Sequence, residues 1–295
     1  MKKTLPLLFL IVSLTSYSAL SQLPDTDIYL FTVKSTGGNR NFGKAVNITN
    51  RKGYDNQPCF SPDSKEILFV SIEDSSQSEI WKYDIKTNTK TQLTKTKESE
   101  YSPTFFNNGK NISTVRVDAD SAQRFYLLDY PELKIAEVVK NSDSIGYSCW
   151  INDSLVSMFV VEDTSSMQLL DLKTHTRTYI CNNPGRCMKI NPKNKLLYFI
   201  DKNDSTNWYL STLNLKTKKI NRLVKTLPKS EDFAFFSDGT LICGFDGGIF
   251  TLTSKESAWK AIGKPMISMK NDFYRISISP DNKYIAVVSF SGKKP

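Results

Sequence analysis

Six apolar residues, each set beside a short polar turn, recur along the chain at Phe60, Phe105, Trp150, Ile190, Phe235 and Ile278. The gaps between them are 45, 45, 40, 45 and 43 residues. Their contexts read "FSPDSK", "TFFNNGK", "CWINDS", "KINPKN", "FFSDGT" and "ISISPDNK", so Pro, Asn, Asp or Gly follows at a similar offset each time. A period of this length with its turn chemistry in place marks a repeat architecture in which each unit is one supersecondary module.

Each marker precedes a short run of β-branched and aromatic residues: "EILFVS", "NISTVRV", "LVSMFVV", "LLYFI", "TLICGF" and "KYIAVVSF". Such runs bounded by turn residues are strands. A second pair follows in most units. "IWKYDIKTNTKTQL", "QLLDLKTHTRTYI" and "YLSTLNLKTKKINRL" share an alternating strand, a Lys-Thr hairpin and another strand, and "RFYLLDYPELKIAEV" places Pro131 at the turn. Each unit is therefore expected to hold four short antiparallel strands, with units starting near residues 54, 99, 144, 185, 230 and 272. The last unit has only its first pair before Pro295, while residues 27–49 read as a strand pair with no marker of their own. Joining these two halves gives an all-β, six-bladed propeller whose last blade is closed by strands from both termini, a ring without a free end blade.

The pairing of "FSPDSKEILFVS" with "IWKYDIKTNTKTQLT" resembles the WD40-like (PD40) repeat of TolB-type propellers. The resemblance runs through nearly all of residues 22–295, best in the first unit and weakest in the fifth, where "CGFDGGIFTLTSKESAW" lacks the Lys-Thr hairpin. It implies one TolB-like domain of six blades.

Residues 1–21 have the pattern of a cleavable leader: Met1-Lys2-Lys3, an apolar run from Leu5 to Leu14, and small residues at Ala19-Leu20-Ser21. The run meets Ser13, Thr15 and Ser16 too early to span a bilayer, which takes about 20 apolar residues. No cysteine follows it, which argues against a lipid anchor, so a periplasmic or secreted protein without a transmembrane segment is expected. Removing Lys2 and Lys3 lowers the formal charge of +9 by two, and the remaining excess is spread over many short segments. A nucleic-acid binder concentrates its basic residues on one element, so that class is excluded. A hydrophobic content of 39% with 17 Phe and 13 Tyr supplies a core and excludes disorder.

Five cysteines leave at least one unpaired in an oxidising compartment. Cys181 and Cys187 flank "NNPGR" and form either a disulfide across that turn or two buried thiols. Cys59 and Cys149 share one repeat position and read as small core residues.

Catalytic chemistry finds little support. The single histidine, His175, falls at the hairpin position of Asn88, and no Gly-x-Ser-x-Gly elbow is present. No cofactor is expected. Sorting charge by propeller face puts Glu73, Asp118, Asp120, Glu162, Asp163, Asp201, Asp204 and Asp246, with Asp74, in the links within blades, and puts Lys65, Lys86, Lys90, Lys110, Lys173, Arg177, Lys195, Lys216, Lys218 and Lys283 in the turns. One acidic and one basic face follow. The links between blades surround the channel mouth, and alignment on the markers assigns Asp55, Glu100, Tyr101, Tyr147, Arg186, Glu231, Asp232, Tyr274 and Arg275 to it. Aromatic and Arg side chains beside carboxylates suit recognition of a protein or peptide partner of the cell envelope by a monomeric, non-catalytic propeller. The alternative is a carbohydrate-active hydrolase or lyase using link carboxylates, with calcium as a further option.

Overall fold

The computed structural model describes residues 23–36, 39–73, 77–253, 256–263 and 273–291. The leader-like residues 1–21 lie outside them. The first strands in the chain are β1 (Thr26–Thr36), β2 (Asn39–Phe42) and β3 (Val46–Asn47). Blade 1 holds β4 (Tyr54–Phe60), β5 (Glu66–Ile72), β6 (Glu79–Asp84) and β7 (Thr89–Gln92). Blade 2 holds β8 (Ser99–Phe106), β9 (Asn111–Val117), β10 (Gln123–Asp129) and β11 (Ile135–Val138). Blade 3 holds β12 (Ile145–Asn152), β13 (Leu155–Val160), β14 (Ser166–Asp171) and β15 (Thr176–Asn182). Blade 4 holds β16 (Pro184–Ile190), β17 (Leu197–Asp201), β18 (Tyr209–Leu213) and β19 (Ile220–Lys225). Blade 5 holds β20 (Phe233–Phe235), β21 (Leu241–Phe245), β22 (Gly248–Leu252) and β23 (Lys260–Gly263), so the unit with the weakest pattern still forms four strands.

Blade 6 combines both ends of the chain. β24 (Phe273–Ile278) pairs with β25 (Tyr284–Phe290), β25 pairs antiparallel with β1 from Thr26↔Phe290 to Thr32↔Tyr284, and β3 completes the sheet on the outer side of β1. β1 alternates so that Ile28 and Leu30 pack toward blade 1 while Phe31 and Val33 pack toward blade 5. Beyond the blade, β1 continues into a hairpin with β2, from which Arg40 pairs with Asp238 and stands 4.0 Å over the Phe236 ring of blade 5. At its other end the Thr26 hydroxyl donates to the Asp55 carbonyl at 3.0 Å, and Gly53 N–H donates to Asp25 Oδ1 at 2.7 Å.

The repeated motifs have direct physical roles. In "SPDSK" the Ser61 hydroxyl donates to Asp63 and accepts from Glu66 N–H, and Ser64 takes a positive φ of 63°. Ser279, Asp281 and Asn282 rebuild this turn in blade 6, and Asn191 serves in place of the serine in blade 4. In the Lys-Thr hairpins, Asp84, Asp171 and Asn214 accept from the backbone two and three residues on, and Asn88, His175 and Lys218 adopt φ of 56°, 55° and 57°. These turns fix strand register, because a side-chain acceptor stands in for the missing ladder bond.

Phe31 is 1% exposed in the core between blades 5 and 6, whereas Val46 on the outer edge is 55% exposed. Phe31→Ala is expected to cost about 3–5 kcal/mol in equilibrium denaturation. Val46→Ala is expected to stay within about 0.5 kcal/mol.

Candidate functional site

The innermost strands of five blades are irregular near the link face, and that of blade 5 pairs without a register shift. Register shifts fall at Asn56/Cys59, Tyr101/Thr104, Ile145/Tyr147, Pro184/Met188 and Phe273/Arg275, and Gln57 and Ser102 take positive φ. A bulge turns consecutive side chains to one side of a strand, which is how a rim is re-aimed toward a channel. Residues in or beside all six innermost strands line a channel cavity of about 370 Å³. A second cavity of about 530 Å³ opens beside the mouth between blades 5 and 6, lined by Pro24, Pro228, Lys229, Phe245, Tyr274 and Phe290, and it shares Arg186 and Asp232 with the channel.

Asp232 ties this region together. Only 7% exposed, it accepts from Arg186 Nη2 through one oxygen and stands 3.7 Å from Arg275 Nη1 through the other. Glu231 takes the Arg186 backbone N–H at 2.7 Å, and its carboxylate lies 3.3 Å from Arg186 Nη1 and 3.4 Å from Lys202 Nζ. Arg275 donates to Tyr147 Oη at 3.1 Å with its guanidinium 5.1 Å over that ring, and Arg186 stands 5.8 Å over the Tyr274 ring. Tyr274 Oη accepts from Asn56 Nδ2 at 2.6 Å, and its ring stacks on Phe290 at 5.1 Å.

Burial works against the charge on both arginines. The carboxylates of Asp232 and Glu231 outweigh it for Arg186, and Asp232 with Tyr147 outweighs it for Arg275, so both pKa values rise. Burial also raises Tyr274 and Tyr54; Arg275 opposes this for Tyr54, while Tyr274, Tyr147 and Tyr101 add to it. The mouth is thus a set of cations and phenols braced by carboxylates.

Backbone clearance is part of the arrangement. A Cβ on Gly185 would stand 2.9 Å from Ile200 Cβ and 3.1 Å from Glu231 Oε1. Only a residue without a side chain lets Glu231 reach the Arg186 N–H.

Of the nine residues expected at the mouth, Tyr147, Arg186, Glu231, Asp232, Tyr274 and Arg275 come together through the contacts above. Tyr101 lies within electrostatic reach of Tyr54 and packs against the core between blades 2 and 3. Asp55 and Glu100 turn inward. Asp55 is fully buried and accepts from Arg51 and the Ser71 hydroxyl at 2.8 and 2.7 Å, bracing the closure of the ring. Glu100, 2% exposed, accepts from Thr96 and Thr94 hydroxyls, and burial pushes its pKa up to about 7, with Glu79 adding to the effect. The sequence alignment missed Tyr54, Asn56, Lys202 and Lys189. Asn56 sits at the marker offset that holds Tyr101, Arg186, Glu231 and Tyr274 in other blades.

The geometry also bears on the link charges and on the cysteines. Among the described residues four of the eight link carboxylates are paired with arginines: Glu73 with Arg51, Asp118 with Arg116 and Arg124, Asp120 with Arg124, and Asp201 with Arg222; Asp74 lies outside the described residues. The acidic face is weakened at those four positions, because sorting by loop counted the carboxylates and not the arginines on adjacent strands. Cys181 and Cys187 are free thiols. Cys181 lies on the outermost strand of blade 3 and Cys187 on the innermost strand of blade 4, and they pack into different inter-blade cores. Residues 182–186 carry the chain between these two places instead of folding back on themselves.

The same architecture is found in solved structures. A candidate TolB of Agrobacterium tumefaciens superposes with a TM-score of 0.67 at 11% identity, over 91% of this chain and 99% of that one. This chain has a TolB-like β-propeller fold. TolB from Acinetobacter baumannii gives a TM-score of 0.59 at 13% identity, and the match covers 90% of the propeller described here and 64% of that chain. An oligogalacturonate lyase in complex with manganese gives 0.58 at 12% identity, over 84% and 80% of the two chains. No family model matches the sequence, and no curated protein does. At these identities the likeness of the TolB-like propeller to its neighbours is one of fold, and fold alone does not fix function. No helix among the described residues is long and apolar enough to cross a membrane.

Gly185→Ala is expected to cost about 1–3 kcal/mol through overpacking. The raised pKa of Glu100 means that the folded state holds its proton more tightly than the unfolded chain, so this contribution to stability is full below pH 4.5 and is lost as pH rises through about 7. Glu100→Gln is expected to flatten the fall in stability across that window, read by denaturation at a series of pH values.

Proposed function

We propose that this protein is an exported, monomeric, non-catalytic propeller that binds a protein or peptide segment of the cell envelope at the channel mouth. The observation that carries this reading is the mixed lining of the cavity beside the mouth. Phe245, Phe290 and Tyr274 offer aromatic surface and Pro24 and Pro228 apolar surface, while Arg186, Lys229 and Glu231 offer charge. An extended polypeptide asks for both kinds of contact, since its side chains need apolar seats and its backbone needs donors and acceptors. Export rests on the leader-like pattern of residues 1–21.

The enzymatic alternative draws less support from the same residues. Glu231 and Asp232 converge on the Arg186 guanidinium, with Lys202 and Arg275 also beside them, so both carboxylates are engaged as braces of the mouth cations.

Displayed-peptide selection on the purified protein tests the reading. Selected peptides are expected to lose at least about tenfold in affinity, or ~1.4 kcal/mol, when Tyr274 and Phe245 are both changed to alanine. Lys65→Glu, on the opposite face, is expected to leave binding unchanged. Absence of enrichment, or equal binding by the mouth variant, would overturn it.

A further inference from the structure

Lys189 is the one channel residue whose charge the contacts above leave unmatched. It stands one residue before its marker, the position held by Cys59, Thr104, Cys149 and Ser277 in four other blades, all lining the same cavity. Ala234, at this position in blade 5, packs into the core between blades 5 and 6 instead. A single long cation therefore projects among short neutral side chains. Its exposure is to water inside the channel, and among the described residues it makes no hydrogen bond or ion pair. Asp232 is within electrostatic reach, but that carboxylate already serves Arg186 and Arg275. Burial raises the pKa of the Cys59, Cys149 and Cys187 thiols, the last to about 12, so at neutral pH they are uncharged and supply no counter-ion.

A second observation points the same way. Arg186 Nε, Arg275 Nε, Ser102 Oγ and Ser148 Oγ are buried polar atoms without a hydrogen-bond partner, and all four belong to residues lining this cavity. Each can donate. Unsatisfied buried donors are costly, and a cluster of them around an unpaired ammonium defines the complementary ligand as an anion with several acceptor lone pairs. Asp232 is the one carboxylate in the lining, and two guanidinium groups neutralise it. A planar carboxylate matches guanidinium geometry and fits within a cavity of about 370 Å³.

We propose that Lys189, with Arg186, Arg275, Ser102 and Ser148, forms a carboxylate-binding site inside the channel, and that a segment held at the mouth presents an acidic side chain to it. The second clause rests on the mouth reading; the first stands without it.

Protection of Lys189 from reductive methylation, read by mass spectrometry on the purified protein, tests the site with small probes. Saturating acetate is expected to slow methylation of Lys189 by about threefold or more, since the rate follows the unoccupied fraction. Acetamide, its uncharged analogue, is expected to leave the rate unchanged, and Lys216 and Lys218 on the opposite face report any general salt effect. Equal effects of acetate and acetamide, or equal slowing of the surface lysines, would overturn the proposal. Trifluoroacetate supplies a second readout, with its ¹⁹F line broadened by the wild type and not by Lys189→Met; broadening by both would overturn it. Blocked Gly-Glu-Gly and Gly-Gln-Gly peptides separate the sources. Protection by the glutamate peptide alone supports a peptide carboxylate, whereas protection by acetate without it supports a free small carboxylate at the same site. None of these readouts uses a mouth-binding peptide selected on Tyr274, so failure here and failure of the mouth reading are distinguishable.

Discussion

The ring depends on β1. Five blades are built from contiguous sequence, and the sixth is not: without β1 the β24–β25 pair has no third strand, and blades 5 and 1 each lose a packing surface. One strand stitches three blades. It pairs with β25, reaches blade 5 through Phe31, Val33 and the Arg40 hairpin, and reaches blade 1 through Ile28, Leu30 and the Thr26–Asp55 bonds. Asp27 adds a polar lock, accepting from the Thr49 hydroxyl at 3.0 Å and from the Ser291 hydroxyl at 2.8 Å. The channel is defined only when this closure is complete, because its six innermost strands contact their neighbours around the ring and the circuit is completed where β24 meets β4.

Much of this was legible in the sequence because turns are local. Ser61, Asp84 and Asn214 set their own backbone geometry within a few residues, so their recurrence can be read without knowledge of the fold. The channel mouth was legible only in part. Tyr101, Arg186, Glu231 and Tyr274 lie four residues before their markers and Tyr147, Asp232 and Arg275 three before, whereas Asp55 and Glu100 lie five before. At that offset blade 3 has Ile145, fully buried, and blade 4 has Gly185, also buried. The alternation of a strand sends this position into the blade, and the bulges that turn the next two positions toward the axis are set by neighbouring strands. Lys189 was hidden for a related reason: its isolation depends on what stands opposite it in four other blades.

The charge pattern carries the same lesson. Acidic links can be counted from sequence, but Arg116, Arg124 and Arg222 sit on strands whose sequence offsets from Glu98, Asp118 and Asp201 differ blade by blade. Pairing across those offsets converts a row of carboxylates into short ion-pair networks at the rim of the sheets. Exposed pairs of this kind contribute little individually, and their effect is to shorten the reach of the field more than to strengthen the fold.

The order in which β1 and its partners are synthesised sets a timescale. β1 is made before any blade and waits for β25, which ends at Phe290. At about 5–20 residues per second, on the order of 10–50 s separate their synthesis. During that interval Ile28, Leu30, Phe31 and Val33 belong to an apolar strand whose β25 edge is open, the kind of edge that recruits foreign strands. A newly made chain is therefore most vulnerable at its first strand for nearly the whole of its synthesis, and a companion that shields this segment would protect the entire ring.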